Sequence, residues 1–333
     1  MTRLAEVYRG GRLESSHSGH IAVVNSDGKL LYFAGDPYRL TYARSSVKPI
    51  QAIPVLETGA ADKFSLTDVD LAVICSSHNG ELQHTDRVLS ILHKAKIGVE
   101  ALQCGIHIPL AIDVYEKLIR EGKEPTPLYN NCSGKHAGML LTAKHMGEPL
   151  EDYYKPEHPV QQRILKVISV IAEYQIDKIG IGKDGCGAPV HAMPLERLAY
   201  SFARLADPKT LGNERAMVIK KITTAMTDYP EMVGGTGRFC TDFMKVAKGR
   251  LFGKLGAESV YLIGDKKLGI GIAIKIEDGS YRALYPAALE ILKQLNMLTR
   301  EQLEQLMPHY MPKLKNAREE EVGEIIPSFE LQG

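Results

Sequence analysis

Apolar runs joined by tight turns stand near both ends of this chain, and that placement limits its possible folds more than any other feature. Residues 20–34, HIAVVNSDGKLLYFA, hold two such runs about Asp27-Gly28, a pair suited to the backbone of a short β-hairpin turn. Residues 257–284, AESVYLIGDKKLGIGIAIKIEDGSYRAL, read as three strands turned at Gly264-Asp265 and Asp278-Gly279. Connections this short force antiparallel pairing, because a parallel return needs a crossover of about a dozen residues or more. Between the ends the period changes. DRVLSILHKAKI (86–97) aligns Val88, Ile91, Leu92 and Ala95 on one helical face, and residues 136–147, 159–174 and 213–226 behave alike. Pro286 opens a further helix, PAALEILKQLNML, and Thr299 with Gln302 has the spacing of a capping box. The pattern predicts an α+β fold, with one antiparallel sheet made from N- and C-terminal strands and a helical lobe inserted between them. It is read as a single domain over 1–333, with a sheet lobe of about 1–40 and 250–333 and a helical lobe of about 41–249.

Bulk properties narrow the function classes. With 41 basic and 40 acidic residues the net charge is +1, so the chain has no electrostatic footprint for nucleic acid or an anionic membrane. No apolar run approaches the roughly 20 residues that a membrane helix needs. The segment MTRLAEVYRGGRLESS lacks the apolar stretch of a signal peptide. Five scattered cysteines make no disulfide framework, which leaves a reducing, cytoplasmic setting as the default expectation.

Three short elements carry the first chemical signal. ARSSVKPIQAIP (43–54) sets Ser45 three places before Lys48 at an expected helix start, where the two share a face. The helix dipole there favours developing negative charge and opposes a lysine cation, which suits an amine acting as base. Pro54 should kink or end that helix. ICSSHNGE (74–81) follows a helix capped by Thr67 with Asp70, and puts Ser77, His78 and Asn79 on a polar loop. That loop is either an ordinary turn using Asn79-Gly80 or an S-x-N element presenting groups to a substrate. RLFGKLGAES (250–259) places Lys254 two residues before Gly256; the lysine is either a device against edge pairing or part of a site. In this order the elements resemble the superfold of serine β-lactamases, penicillin-binding proteins and glutaminases, where S-x-x-K supplies a nucleophile and its base.

Two cysteine loops add to this. YNNCSGKHAGML (129–140) and GKDGCGAPVHAMPL (182–195) set Cys132 and Cys186 among glycines, as two inert thiols or as soft ligands for zinc. Chemistry alone makes His136 the nearby nitrogen ligand. Arg44 is a candidate clamp for a carboxylate or a surface charge, and Asp184 a partner for an ammonium or a turn residue.

Taken together, RSSVKP, SSHNGE, NNCSGKHAGML, DGCGAP and FGKLGAE resemble the rhizobial-type L-asparaginase family, also called asparaginase II, over nearly the whole chain. The resemblance implies hydrolysis of L-asparagine to L-aspartate and ammonia by two serine–lysine pairs, Ser45 with Lys48 and Ser77 with Lys254. Substrate contacts are expected from Arg44, His78, Asn79 and Asp184. The resemblance also implies zinc held by Cys132, Lys135 and Cys186, in place of the histidine that chemistry alone would choose, and a homodimer. Two rivals stand beside it: a glutaminase or other small-amide hydrolase on the same framework, and a non-catalytic zinc-binding protein.

Overall fold

The computed structural model describes residues 2–333. In chain order the strands are β1 (Thr2–Arg9), β2 (Arg12–Asn25), β3 (Leu30–Ala34), β4 (Leu40–Tyr42), β5 (Gly180–Lys183), β6 (Pro189–Pro194), β7 (Leu251–Gly256), β8 (Val260–Asp265), β9 (Ile270–Ile276), β10 (Lys313–Lys315) and β11 (Glu321–Pro327). The chain forms two compact units, one of Met1–Ser46, Met193–Asp207 and Asp242–Gly333, the other of Val47–Ala192 and Pro208–Thr241.

The first unit is built on an antiparallel sheet in the order β10-β11-β1-β2-β9-β8-β7, with β3 also paired to β2. The hairpin read at Asp27-Gly28 is present, with Val23 opposite Tyr32 and Val24 opposite Leu30. The three later strands differ from expectation. They are β7, β8 and β9, so the first begins at Leu251 and Asp278-Gly279 leads into a helix. That helix, Tyr281–Gln294, starts five residues before Pro286 and contains it. Burial of Ala283, Leu284, Ala287, Ala288, Ile291 and Leu292 outweighs the single ladder bond that the proline removes. Every residue of β8 is buried, so both its faces are covered; the helices Leu195–Ala206 and Tyr281–Gln294 pack against it.

The second unit is mostly helical: Asp68–Ile74, Leu82–Lys94, Ile112–Arg120, Ser133–Met146, Pro159–Ala172 and Asn213–Asp228 are its longer pieces among the described residues. The capping box on Thr67 and Asp70 is formed. Helix Ser133–Met146 departs from the one-faced pattern expected of it, because Ser133 through Ala143 are all buried. A helix covered on all sides is the hub of its unit. Strands β5 and β6 form a hairpin, with Gly180 opposite Ala192 and Lys183 opposite Pro189, whose loop carries Cys186. All five cysteines are free and buried. Among the described residues no helix is long and apolar enough to cross a membrane.

Candidate active site

The helix expected at the S-x-x-K element is divided. Arg44–Val47 is a 3-10 turn, Lys48–Gln51 and Ile53–Glu57 are short helices, and Pro49 and Pro54 each sit in a first turn. Four residues sum few peptide dipoles, so the field argument for Lys48 does not apply. Its amine is placed by acceptors instead. Lys48, 1% exposed, donates to the carbonyls of Ser76 and Asn131 and lies 3.1 Å from the Ser77 hydroxyl. Three oxygens, two from carbonyls and one from the Ser77 hydroxyl, thus face the three hydrogen-bond positions of the Lys48 nitrogen.

The loop bearing Ser77 begins where the capped helix Asp68–Ile74 ends. Ser77 N–H donates to the Val233 carbonyl at 3.0 Å. His78 is wholly buried and its Nδ1 accepts from the Gly80 N–H at 3.1 Å. The proton therefore sits on Nε2, which donates to Ser133 Oγ at 2.9 Å, and Ser133 in turn donates to the Leu128 carbonyl. Burial, then the positive neighbours His84 and Lys48, holds His78 well below the usual histidine range. His84 stacks on it with ring centroids 5.0 Å apart.

Asn79 is engaged at both ends of its amide. Its Nδ2 donates to the Thr236 carbonyl and to Glu81, and its Oδ1 accepts from Arg238 Nη1 at 2.9 Å. The partner segment is Gly234-Gly235-Thr236-Gly237-Arg238. Gly235 has φ +112°, and a Cβ there would stand 2.6 Å from Asn79 Nδ2, so only glycine allows the approach. His78 and Asn79, expected as substrate contacts, spend these groups on holding the loop. Arg238, which the motif reading did not single out, thus reaches the Ser77 loop; three glycines in four residues were the available sign of a close backbone approach.

In the sheet unit, Lys254 lies within β7 and is 1% exposed, which removes the reading of an exposed edge lysine. Its Nζ donates to the Leu255 carbonyl at 2.7 Å. A Cβ on Gly256 would stand 2.7 Å from the Ala43 carbonyl oxygen and 3.2 Å from the Ser46 nitrogen, so the strand end lies hard against the turn carrying Ser45. Ser46 Oγ caps that turn by donating to the Ala43 carbonyl at 2.6 Å. Ser45, half-buried, makes no hydrogen bond among the described residues. Arg44 holds φ +52°, a strained conformation for a long side chain. The expected pairs are Ser45 with Lys48 and Ser77 with Lys254; Lys48 also reaches the serine of the other pair, Ser77.

The cysteine loops converge. Cys132 stands immediately before the buried helix Ser133–Met146, and Lys135 Nζ lies 3.2 Å from Cys186 Sγ. The Cys132 thiol donates to Cys186, which with burial pushes Cys132 up to about 12. That bond and the Lys135 cation hold Cys186 down to about 4 against the effect of burial. Burial works against the Lys135 cation, but the charges of Cys186 and Cys132 outweigh it and raise its pKa. His136 Nδ1 is paired with the Tyr153 hydroxyl at 2.6 Å, and burial, then Lys135, lowers His136 to about 3. Among the described residues no three His, Cys, Asp or Glu side chains converge as a metal cluster. The nitrogen that does touch the cysteine pair is Lys135. Asp184 begins the Cys186 loop, its Oδ1 accepting from the Gly185 N–H at 2.9 Å.

A family model described as L-asparaginase II matches residues 5–327. A search of curated proteins returned no match to the chain. Among solved structures the chain is similar to Mglu in its glutamate form, at 15% identity over 84% of this chain and 61% of that one, with a TM-score of 0.47. It is also similar to a β-lactamase from Mycobacterium bovis, at 13% identity over 88% and 95% of the two chains and a TM-score of 0.44. A third is D-alanine carboxypeptidase AmpC from Burkholderia cenocepacia, at 14% identity over 83% and 93%, with a TM-score of 0.39. The chain spans 61–64% of the length of the Mglu chains that it matches first.

Proposed function

Since the chain belongs to the L-asparaginase II family, we propose that it is an amidohydrolase that converts L-asparagine to L-aspartate and ammonia. The observation that carries this reading is the buried Lys48 amine 3.1 Å from the Ser77 hydroxyl. Such a pair is a proton path, and an amide needs one at both ends of its cleavage. The Ser45 hydroxyl, which makes no hydrogen bond among the described residues, attacks the side-chain amide carbon and passes its proton to Lys48. The new C–O bond yields an oxyanion, which backbone N–H groups of the 44–47 turn stabilise; loss of one such donor costs about 3–4 kcal/mol. Lys48 hands the proton to Ser77, and Ser77 delivers it to the departing nitrogen as the C–N bond breaks and ammonia leaves. Lys254 holds Ser77 in this relay. Water then attacks the aspartyl ester with the same groups acting in reverse. Arg44 takes the substrate carboxylate and Asp184 its ammonium. His78 and Asn79 act through the loop they hold.

Zinc is the group that the family resemblance implies. Cys132, Lys135 and Cys186 fit it once a bound cation displaces the Lys135 proton: two sulfurs and one nitrogen, all buried and in contact, are then donors suited to a soft or borderline cation. Bound there, zinc would supply Lewis-acid charge that keeps both sulfurs as thiolates. The chain's own part is to bring the start of helix Ser133–Met146 to the β5–β6 loop, and so to fix Asp184 for the substrate. A homodimer belongs to the same proposal and is read by light scattering.

The test is ammonia release from L-asparagine and L-glutamine, side by side, by wild type and by Ser45→Ala, with and without a chelator. Activity on asparagine that Ser45→Ala abolishes supports the reading. One methylene is worth about 1–3 kcal/mol of discrimination, so a glutamine preference would move the assignment to a glutaminase. Chelation that abolishes kcat, while Ser45→Ala retains activity, would replace the serine mechanism. The Lys48–Ser77 bond favours one second reading, in which Ser77 is the nucleophile; a trapped acyl-enzyme located by mass spectrometry on residue 77 would select it.

A further inference from the structure

The helical unit contains five arginines. Four pair with carboxylates: Arg87 with Asp70, Arg120 with Glu116, Arg163 with Glu148 and Arg215 with Glu57. The fifth, Arg238, has no carboxylate within ion-pair distance among the described residues. Its one side-chain hydrogen bond among the described residues runs from Nη1 to the neutral Oδ1 of Asn79 at 2.9 Å. A guanidinium carries five N–H donors in a planar fork, so four stay uncommitted on a group that Asn79 already orients. Glu81, which shares the Asn79 amide with Arg238, makes no ion pair with it. Its oxygens accept from the Thr236 N–H and hydroxyl, from Gln83 and from Asn79.

The place of Arg238 matters as much as its vacancy. It is half-exposed, and it grips the residue two positions beyond Ser77, whose own N–H is tied to Val233. Two residues of extended chain span at most about 7 Å, a distance that an arginine side chain and a small amino acid together bridge. Gly235 lets the backbone press onto Asn79, whose Oδ1 in turn orients the guanidinium. An oriented, partly desolvated cation without an anion beside a serine–lysine pair is complementary to a carboxylate.

We infer that Arg238 binds the carboxylate of the substrate and sets the preference of this site for α-amino acid amides over amides that lack that anion. The inference rests on the amidohydrolase reading for its substrate, and adds a second guanidinium to Arg44. The test uses Arg238→Gln, which keeps a donor for Asn79 Oδ1 and removes the charge, and Arg238→Lys, which keeps the charge without the fork. The primary measurement is calorimetric binding of L-aspartate. Its Kd should rise about 10- to 100-fold in Arg238→Gln and by less in Arg238→Lys. The KM for L-asparagine should rise in step, with kcat within about threefold, while kcat/KM for 3-aminopropanamide, which has no α-carboxylate, stays unchanged.

An unchanged Kd in a folded Arg238→Gln protein would overturn the inference and leave the carboxylate to Arg44. A fall in kcat at constant KM, or an equal loss on both amides, would overturn it in favour of loop positioning. If wild type binds L-aspartate through Arg238 but releases no ammonia from L-asparagine, the hydrolase reading fails and the anion site stands. A wild type that binds no L-aspartate overturns the inference itself.

Discussion

Two buried regions of this protein are filled on opposite principles. In β8 and β9, Tyr261, Leu262, Ile263, Ile272, Ala273 and Ile274 are at most 1% exposed and almost entirely apolar. In the helical unit the buried run Ser76–Asn79 and the helix start Ser133–His136 are polar, with Gly134 the one residue that brings no side chain. Apolar burial is favourable whatever the exact partner, at about 25 cal/mol per Å². Polar burial holds only where each group finds a partner, and an orphan costs about 1–3 kcal/mol. The polar region is nearly but not wholly satisfied, since Ser76 Oγ and His136 Nε2 are buried without a hydrogen bond. The sheet gives stability and the polar region gives chemistry. That division can be broken by experiment.

The largest effect is expected at Lys48. Lys48→Met keeps the volume and removes the base, so ammonia release should fall by about 10²- to 10⁴-fold with little change in melting temperature. A variant that keeps its activity would end the claim that the polar region is the chemical one. Ile263→Ala in β8 should do the converse. Loss of the buried side chain costs about 2–5 kcal/mol in a denaturant titration, with kcat per folded molecule unchanged.

Asp70 sharpens the contrast, being a wholly buried carboxylate with a structural role. Burial alone would raise its pKa, but Lys94 and the N–H and hydroxyl of Thr67 overcome this and set it below its ordinary value. A carboxyl with a depressed folded pKa contributes stability that is present above its unfolded value of about 3.9 and is lost as pH falls through the folded value. Acid unfolding curves should therefore show a slope below about pH 4 that Asp70→Asn reduces. The smallest effect is at Thr299, whose capping box with Gln302 is formed at the protein surface. Thr299→Ala should lower stability by about 0.5–2 kcal/mol and leave turnover untouched, read by thermal melts and the ammonia assay together.

What was legible from sequence follows the range of the interactions involved. The Asp27-Gly28 hairpin and the boxes at Thr67 and Thr299 depend on residues a few positions apart, and all three are formed. The helix Leu195–Ala206 went unread although Leu195, Leu198, Ala199, Phe202 and Leu205 carry its period. Its place on the sheet, from mid-chain, is a tertiary fact. The division of the helix after Ser45 was half legible: Pro54 marked the break, but not that only four residues would precede it. In the site, residue types were readable and pairings were not. Lys48 meets Ser77 across 29 positions, and Asn79 meets Arg238 across 159, with no local pattern to announce either.

Gly256 is a tight fit in the sheet unit, with the Ala43 carbonyl 2.7 Å from where a methyl group would begin. The position works as a mechanical stop, limiting how far the end of β7 can slide past the turn at 43–46. Any bulkier residue would have to lever that turn outward, and the proposed nucleophile with it, while every reacting group kept its identity. The reach of Ser45 is thus dimensioned by an atom that is not there.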